Sequence, residues 1–241
     1  MPVEADAFAA LAQETTELTA ADLTFYEGLV GGRRVAWCVG GAGGEAATRA
    51  TRLLIDGHRP QIILSSGFAG GLDPALARGT IAYPQRAISR SGGPPIDLAA
   101  VGQGARAKNA AGDASHGGLT IVSVDTVVTT VAAKRDLARA TGAGLVDMET
   151  YAVAKAAEAA GLPSASIRVV SDDASQDLPR EIAALVQPQS GMRRLGAALA
   201  GIGRRPRAAL DMWRLWEHAV VDGRALARAI ETSLEGLSDS P

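Results

Sequence analysis

Short apolar runs closed by glycine or proline alternate with stretches of helical period between residues 34 and 175. Short runs bounded by turn residues are typical of buried strands, and the periodic stretches between them are typical of helices that cover a sheet. This alternation predicts an α/β fold of three layers with a central sheet. We predict one domain over residues 1–241, with an α/β core at 1–175 and a helical extension at 176–241.

The pattern assigns most of the chain to individual elements. Strands are predicted at 25–28, 34–39, 61–65, 79–83, 119–124 and 166–170, and the run at 34–39 is typical of a buried strand. Helices are predicted near 1–12, 45–56, 132–140 and 148–160, with one helical turn at 72–78. Residues 66–71 predict a glycine-rich turn, 13–23 a loop or short helix, and 85–118 mostly loop.

Three acidic residues mark the two ends of one predicted helix–strand unit at residues 144–175. Asp147 is expected to cap the helix and Glu149 lies in its first turn, where the helix dipole favours negative charge. Asp172 directly follows the predicted strand at 166–170. Ligands bind at the carboxyl ends of strands in open α/β sheets, so these carboxylates are candidates for a functional site.

Composition excludes several classes of function. A net charge of −2 gives no general attraction to nucleic acid, and the single Cys38 cannot form an internal disulfide. The three histidines lie far apart and lack metal-ligand spacing, so we expect no metal and no cofactor. The start of the chain has no signal-peptide pattern, and the expected location is the cytoplasm.

A glycine-rich loop follows the predicted strand at 34–39. Its residues 41–46 read Gly-Ala-Gly-Gly-Glu-Ala, which formally fits the G-x-G-x-x-A fingerprint of dinucleotide sites, and its amides could hold an anion or a sugar through Gly41 and Gly43. That fingerprint also requires an acid at the end of the next strand, where this chain has Ser65 and Ser66. A tight strand-to-helix turn is the plainer interpretation.

Three segments resemble the nucleoside phosphorylase and nucleosidase superfamily. The sequence Asp-Met-Glu at 147–149 is followed by Arg-Val-Val-Ser-Asp at 168–172, similar to the family's D-M-E and R-x-x-S-D motifs. Residues 67–76 look like its G-x-A-G-G-L loop, and residues 25–44 are similar to its F-Y-x-G and G-x-G region. The resemblance implies a phosphorylase/hydrolase-like αβα fold of three layers, with a central mixed twisted sheet.

The resemblance also implies roles for individual residues. Glu149 would bind the ribose hydroxyls while Met148 packs on the sugar, and Asp172, preceded by Ser171, would protonate the purine so that the base can leave. Proton donation relieves the negative charge that builds up on the departing base. That role requires a raised pKa, which burial or the neighbouring Asp173 could supply. The loop residues Phe68, Ala69 and Gly70 and the segment with Val127 and Val128 would complete the substrate site.

The nucleophile separates hydrolysis from phosphorolysis. In the nucleosidase branch a glutamate just after the first strand positions water, and Glu4 matches the end of that motif. The chain begins at this motif, so we expect either a truncated start or a missing strand. In the phosphorylase branch an arginine and a serine hold phosphate, and this chain has Ser65 and Phe68 in the corresponding region. Val127 stands where adenosine-type nucleosidases often carry a phenylalanine.

Three hypotheses follow. The first is a nucleosidase that hydrolyses a purine-type nucleoside or thionucleoside. The second is a phosphorylase of the same fold, with an adenosylated lipid as one candidate substrate, because residues 177–179 and the arginine-rich helices after them resemble the hopanoid-biosynthesis branch. The third is a nucleoside-binding protein without catalysis.

The C-terminal part predicts two kinds of contact. The arginine-rich segment 191–210 would suit weak contact with a membrane surface. The stripe of Trp213 and Trp216 predicts helix core or the contact of a homo-oligomer, a dimer or larger.

Overall fold

A computed structural model describes residues 2–20, 22–101, 118–178 and 206–237. Its helices are α1 (Pro2–Ala9), α2 (Gly44–His58), α3 (Val131–Thr141), α4 (Thr150–Ala159) and α5 (Pro206–Glu235). Its strands are β1 (Gln13–Ala20), β2 (Leu23–Val30), β3 (Arg33–Cys38), β4 (Ile63–Gly71), β5 (Ile81–Ala82), β6 (Arg86–Ser89), β7 (Ile96–Asp97), β8 (Thr120–Ser123), β9 (Leu145–Asp147) and β10 (Ser164–Asp172).

The main sheet is mixed and has seven strands in the order β5-β10-β4-β9-β8-β6-β7. Strands β10 and β4 are parallel, as are β6 with β8 and β8 with β9, while the remaining pairs are antiparallel. A separate antiparallel sheet has the order β1-β2-β3. The mixed central sheet that the family resemblance implied is therefore present.

Helices cover both faces of strand β10. Successive side chains of a strand point to opposite sides, so each face of β10 packs against a different helix. Ile167 and Val169 pack in a cluster with Leu226 of α5, whereas Val170 packs in a second cluster with Ala154 of α4. All nine residues of this strand except Ser171 are buried. The resulting three layers agree with the prediction, and the C-terminal helix α5 contributes Leu226 to the core.

Two predicted elements next to the candidate site are confirmed with adjusted bounds. The helix expected at 148–160 is α4, which ends before Gly161 with a φ of 71°. The left-handed backbone at this glycine is a common way to end a helix. The strand expected at 166–170 is β10, which is longer by two residues at each end and places Asp172 at its carboxyl end.

The prediction of a glycine-rich turn at 66–71 is wrong. Residues 63–71 form the single strand β4, whose pairing with β10 satisfies the backbone hydrogen bonds along the glycine segment. Glycine is needed there because of crowding: a Cβ on Gly71 would lie 3.2 Å from the carbonyl oxygen of Leu76 and 3.3 Å from that of Asp172. The predicted helical turn at 72–78 is also absent from this described segment.

Other differences concern pairing that local sequence does not reveal. Residues 13–20, expected as loop or short helix, form β1, which pairs with β2 although most of its side chains are exposed. Strand β3, expected to be buried, is only half-buried at the edge of the three-stranded sheet. The region 85–101, expected as loop, contributes β6 and β7, and the short β9 was not predicted. These strands are short or polar and exist because a partner strand is adjacent.

The C-terminal prediction of helix is confirmed for α5, while residues 191–205 of the arginine-rich segment lie outside the described residues. The side chains of Trp213 and Trp216 also lie outside that description. In the described segments, no helix combines the length and the apolar character that crossing a membrane requires.

Candidate active site

A large cavity of about 1670 Å³ opens beside the carboxyl ends of β4 and β10. Small-molecule sites are commonly about 300–1,000 Å³, so this cavity exceeds the space that one nucleoside needs. Its excess volume lies between β3 and β4, which do not pair with each other, and extends towards α5. The end nearest β10 brings together the acidic residues that the sequence singled out.

Asp172 occupies the carboxyl end of β10 and is 8% exposed. The hydroxyl of Ser171 donates a hydrogen bond of 2.6 Å to its Oδ1 atom. Gly70 on β4 lies opposite, and a Cβ at that glycine would come within 3.2 Å of Asp172 Oδ2 and 3.0 Å of Val146 Cγ1. Gly70 therefore leaves the space in which the carboxylate sits.

Lys134 of α3 contacts the same carboxylate from the side of the protein interior. Its Nζ atom lies 2.6 Å from Asp172 Oδ2, and the side chains of the two residues are 1% and 9% exposed. The ammonium also donates to the carbonyl oxygens of Asp173 at 2.5 Å and Gln176 at 3.0 Å. A buried cation thus faces the candidate acid, a contact that the sequence did not predict.

Glu149 lies at the start of α4 and reaches across to the start of α2. Its Oε1 atom accepts a 2.7 Å hydrogen bond from the Gly43 N–H, and its Oε2 atom accepts one of 3.3 Å from the Met148 N–H. Burial, followed by the charge of Asp147, raises the pKa of the Glu149 carboxyl, while the Gly43 hydrogen bond and Arg168 oppose the rise. The carboxylate is therefore anchored on one side and retains lone pairs for a ligand.

The glycine loop before α2 already holds an anion, and that anion is Glu149. Gly43 directly precedes the helix with φ 94° and ψ 159°, a conformation that favours glycine and directs its N–H to the Glu149 carboxylate. The sequence predicts that the Gly41 and Gly43 amides hold an external anion or a sugar. In the structure the Gly43 amide positions a carboxylate that can itself bind sugar hydroxyls.

Asp147 is confirmed as a capping residue, because its Oδ2 atom accepts a 2.9 Å hydrogen bond from the Thr150 N–H in the first turn of α4. The same carboxylate pairs with Arg168 of β10 at 2.8 Å, and it accepts from the hydroxyls of Ser123 and Thr150. Arg168 further donates to Ser65 Oγ at 2.6 Å. This buried network joins β4, β8, β9, β10 and α4.

The structure places most of the predicted site residues around the one cavity. Its lining includes Gly41, Phe68, Ala69, Gly70, Val127, Val128, Met148, Glu149, Ser171 and Asp172. Gly43 contacts the site through Glu149. Glu4 belongs to α1, whose residues Ala5 and Phe8 line the cavity, but its side chain lies outside the described residues. The assignments of function to these residues stay predictions.

Sequence reasoning missed Lys134 and did not assign a role to Arg168. A signal for Lys134 was present, because it falls three residues before Leu137, on the face of α3 that turns towards the core. A lysine on such a face must find a partner inside the protein. The partner could not be named from sequence, since Asp172 is 38 residues further along the chain. In the parts of the chain that the structure describes, no group of three potential metal ligands is present.

Comparison with known proteins identifies the class. The model of the phosphorylase superfamily matches residues 1–200, and the chain belongs to this superfamily. Over 69 residues the chain is 42% identical to a 5'-methylthioadenosine/S-adenosylhomocysteine nucleosidase of Pseudoalteromonas translucida, an alignment that covers 29% of each protein. The alignment thus spans less than a third of that curated relative.

Solved structures extend the likeness to nearly the whole fold. A 5'-methylthioadenosine/S-adenosylhomocysteine nucleosidase from Neisseria meningitidis, in complex with methylthio-immucillin-A, matches with a TM-score of 0.70 and 18% identity over 98% of this chain and 96% of the other. The futalosine hydrolase of Helicobacter pylori matches with a TM-score of 0.69 and 17% identity over 98% and 95%. At these identities the likeness establishes the fold, which hosts more than one substrate.

Proposed function

We propose that this protein hydrolyses the N-glycosidic bond of a purine-type nucleoside or thionucleoside. The observation that carries the proposal is the occupation of the Gly43 amide by the Glu149 carboxylate at the edge of the cavity that Asp172 also lines. A phosphate bound at this loop would meet a negative charge and lose that amide donor. A sugar hydroxyl, in contrast, can donate to the free lone pairs of Glu149.

The second supporting observation concerns the cation beneath the site. The Arg168 guanidinium donates to Asp147, Ser65 and Thr150, so its Nη2 atom is committed to buried partners. Ser65, which stands where the phosphorylase branch carries its phosphate-binding arginine, is one of these partners and is 7% exposed. Both features favour water over phosphate as the acceptor.

In the proposed reaction Asp172 donates a proton to the departing base while the bonding electrons move onto that base. Glu149 holds the ribose hydroxyls, and Met148 packs on the sugar. Glu4 positions the water that attacks the sugar carbon and accepts one of its protons, while the other proton stays on the new sugar hydroxyl. Proton exchange with solvent then returns Glu4 to its carboxylate form and Asp172 to its protonated form. The names of the sequence relatives suggest 5'-methylthioadenosine and S-adenosylhomocysteine as the first compounds to test.

The decisive experiment incubates the purified protein with a nucleoside panel, with and without phosphate. The panel contains adenosine, inosine, 5'-methylthioadenosine and S-adenosylhomocysteine, and free base and sugar products are quantified by chromatography. Base release without phosphate, with free sugar as the second product, is the expected result. Release only with phosphate, giving a sugar 1-phosphate, would identify a phosphorylase, and an adenosylated lipid would join the panel. Binding without turnover would identify a non-catalytic binding protein.

The role of Glu4 has its own test. Glu4→Gln should lower kcat, because an amide cannot accept the proton of the attacking water, while nucleoside affinity should change little. Asp6→Asn is the matched control, since Asp6 is an exposed acid on the same helix. Equal kcat values for the Glu4 variant and this control would reject the assignment.

We further propose a homo-oligomer in the cytoplasm, with weak membrane-surface contact through the arginine-rich segment 191–210. Analytical ultracentrifugation tests the first part, and a single monomeric species at micromolar concentration would reject it. Sedimentation with anionic and neutral vesicles tests the second, which requires binding to the anionic vesicles alone.

A further inference from the structure

The Asp172 carboxylate receives few hydrogen bonds for a buried group. An ionised carboxylate has about four acceptor sites. Oδ1 accepts from Ser171, and among the described residues no donor other than Lys134 reaches Oδ2, which lies 2.6 Å from Nζ. Because Oδ2 is itself buried, Oδ1 is the oxygen that keeps a lone pair for a ligand in the cavity, and the charge that faces Oδ2 belongs to Lys134.

Lys134 is held so that its ammonium cannot turn away. Besides its ion pair with Asp172, it donates hydrogen bonds to the carbonyls of Asp173 and Gln176. The same loop is fixed to the start of α3 by a 2.6 Å hydrogen bond from the Val131 N–H to Asp177 Oδ1. The lysine thus orients the carboxylate and the chain that follows it.

Burying an ammonium is expensive, and the helix does not need one at this position. Taking an ion out of water costs several kcal/mol unless its partners compensate. Helix α3 already has a Thr130 cap, with its Oγ1 accepting from the Ala133 N–H, and it packs through Leu137. An apolar side chain would fill the same space without that desolvation, which points to a role for the charge itself.

We propose that Lys134 is the positioning residue that prepares Asp172 for proton transfer. This rests on the proposed nucleosidase function and adds a residue that does not touch the substrate. When Asp172 gives its proton to the leaving base, a carboxylate remains in a buried site. The Lys134 ammonium stabilises that carboxylate as it forms, while keeping its own three protons, and so lowers the barrier to the transfer.

The loop that follows Asp172 carries two further carboxylates, Asp173 and Asp177, each with its own hydrogen-bond donors. Asp173 accepts from the Ser175 N–H and hydroxyl, and these hydrogen bonds lower the pKa of the Asp173 carboxyl. Asp177 accepts from the Val131 N–H. Both carboxylates retain these partners in the absence of Lys134. Removal of the ammonium should therefore act chiefly on Asp172, which would lose the one cation that the described residues place against it.

The test compares Lys134→Met with Lys134→Arg and with Lys155→Met, a control at an exposed lysine of α4. Lys134→Met should lower kcat about 10²-fold with KM changed less than threefold, and the alkaline limb of its pH profile should move to higher pH. Lys134→Arg should restore part of kcat, and Lys155→Met should match the wild type. A wild-type kcat and pH limb in folded Lys134→Met would overturn the proposal, as would losses of kcat that only follow losses of melting temperature.

A second measurement does not depend on activity. The chain has three lysines, Lys108, Lys134 and Lys155, so ¹⁵N-lysine labelling gives at most three ammonium signals by NMR. The buried Lys134 ammonium should give a slowly exchanging signal that disappears in Lys134→Met and shifts in Asp172→Asn. If that signal did not shift in Asp172→Asn, the pairing of Lys134 with Asp172 would be refuted. If instead the signal shifted but the wild type cleaved no nucleoside, the proposed function would fail while the pairing held.

Discussion

Two buried ion pairs contribute residues to the cavity lining, and they differ in how many hydrogen bonds each carboxylate accepts. The Arg168–Asp147 pair has an N···O distance of 2.8 Å and the Lys134–Asp172 pair one of 2.6 Å. Asp147 accepts from Ser123 Oγ, from the N–H and hydroxyl of Thr150, and from Arg168. Asp147 therefore uses all of its roughly four acceptor sites.

Asp172 is the contrasting case, with one hydroxyl donor and one ammonium. Its side chain is 9% exposed, against 1% for Asp147. A saturated carboxylate can only hold structure together, whereas a partly satisfied one beside a cavity can still exchange a proton with a ligand. The number of hydrogen-bond donors to each carboxylate, more than its burial or charge, separates the structural acid from the candidate catalytic acid.

The largest expected effect comes from removing the acid at the less satisfied pair. Asp172→Asn should lower kcat by about 10²- to 10⁴-fold, because the amide keeps the shape but cannot donate the proton. Nucleoside affinity, measured by calorimetry, should remain within a few-fold of the wild type. Unchanged turnover in this variant would show that Asp172 is not the general acid. The two ion pairs would then no longer differ in function.

Breaking the saturated pair should act on stability instead. Arg168→Met leaves Asp147 charged and buried without its cation, a change that typically costs about 3–5 kcal/mol. Denaturant unfolding should show this loss, and the double variant Arg168→Met/Asp147→Asn should recover part of it. A loss of kcat in Arg168→Met without a loss of unfolding free energy would contradict the structural role.

Glu149 is a third carboxylate at the cavity, and it accepts from two backbone N–H groups. Glu149→Gln should weaken nucleoside binding about 10- to 100-fold, since a charged acceptor for the ribose hydroxyls is lost. A ribose-free purine provides the comparison. If the purine lost as much affinity as the nucleoside, Glu149 would not be the sugar ligand.

The same substitution has a pH signature in stability. The pKa of Glu149 in the folded protein is raised above its ordinary value of about 4.5. Between these two pKa values the folded state binds more protons than the unfolded state, so the free energy of unfolding falls as pH rises. Glu149→Gln should flatten this slope in thermal melts from pH 4 to 8. A slope equal to that of the wild type would show that burial of Glu149 carries no such penalty.

A substitution at Gly70 tests whether Asp172 needs the space beside its carboxylate. Gly70→Ala places a methyl group against Asp172 Oδ2 and Val146, so we expect a loss of about 1–3 kcal/mol and a lower kcat. Gly44→Ala is the matched control, because its Cβ would make only a 3.4 Å contact with Ala152. Equal kcat values for the two variants would show that the space beside Asp172 is not needed.

The smallest expected effect is on the reactivity of Cys38, the single cysteine of the chain, which also reports on folding. Burial raises the pKa of Cys38 to about 11, so little reactive thiolate is present at pH 8. Cys38 should react slowly with a maleimide in the native protein and quickly in denaturant. Arg168→Met should accelerate the reaction more than Lys134→Met does, because it destabilises the fold more. A faster reaction in Lys134→Met than in Arg168→Met would show that the Lys134–Asp172 pair contributes more to stability than the Arg168–Asp147 pair.

Much of the fold followed from local pattern. The helices α2, α3 and α4 and the buried strands β8 and β10 have strong periodicity or strong apolar runs, and their bounds agree within a few residues. The polar strand β1 and the glycine-rich half of β4 did not follow, because only an adjacent strand makes an extended conformation favourable for such sequences. Pairing partners are distant in sequence and leave no local signal.

The sequence by itself determined the superfamily motifs, the position of Asp172 after a buried strand and the cap at Asp147. Tertiary structure decided which carboxylate is saturated and which is not, because the donors come from four separate elements: β8, α3, α4 and β10. It also decided that Glu149 occupies the Gly43 amide, 106 residues away in the chain. Hydrogen bonds and ion pairs depend on distances of a few ångströms, and only the folded chain brings such remote residues that close.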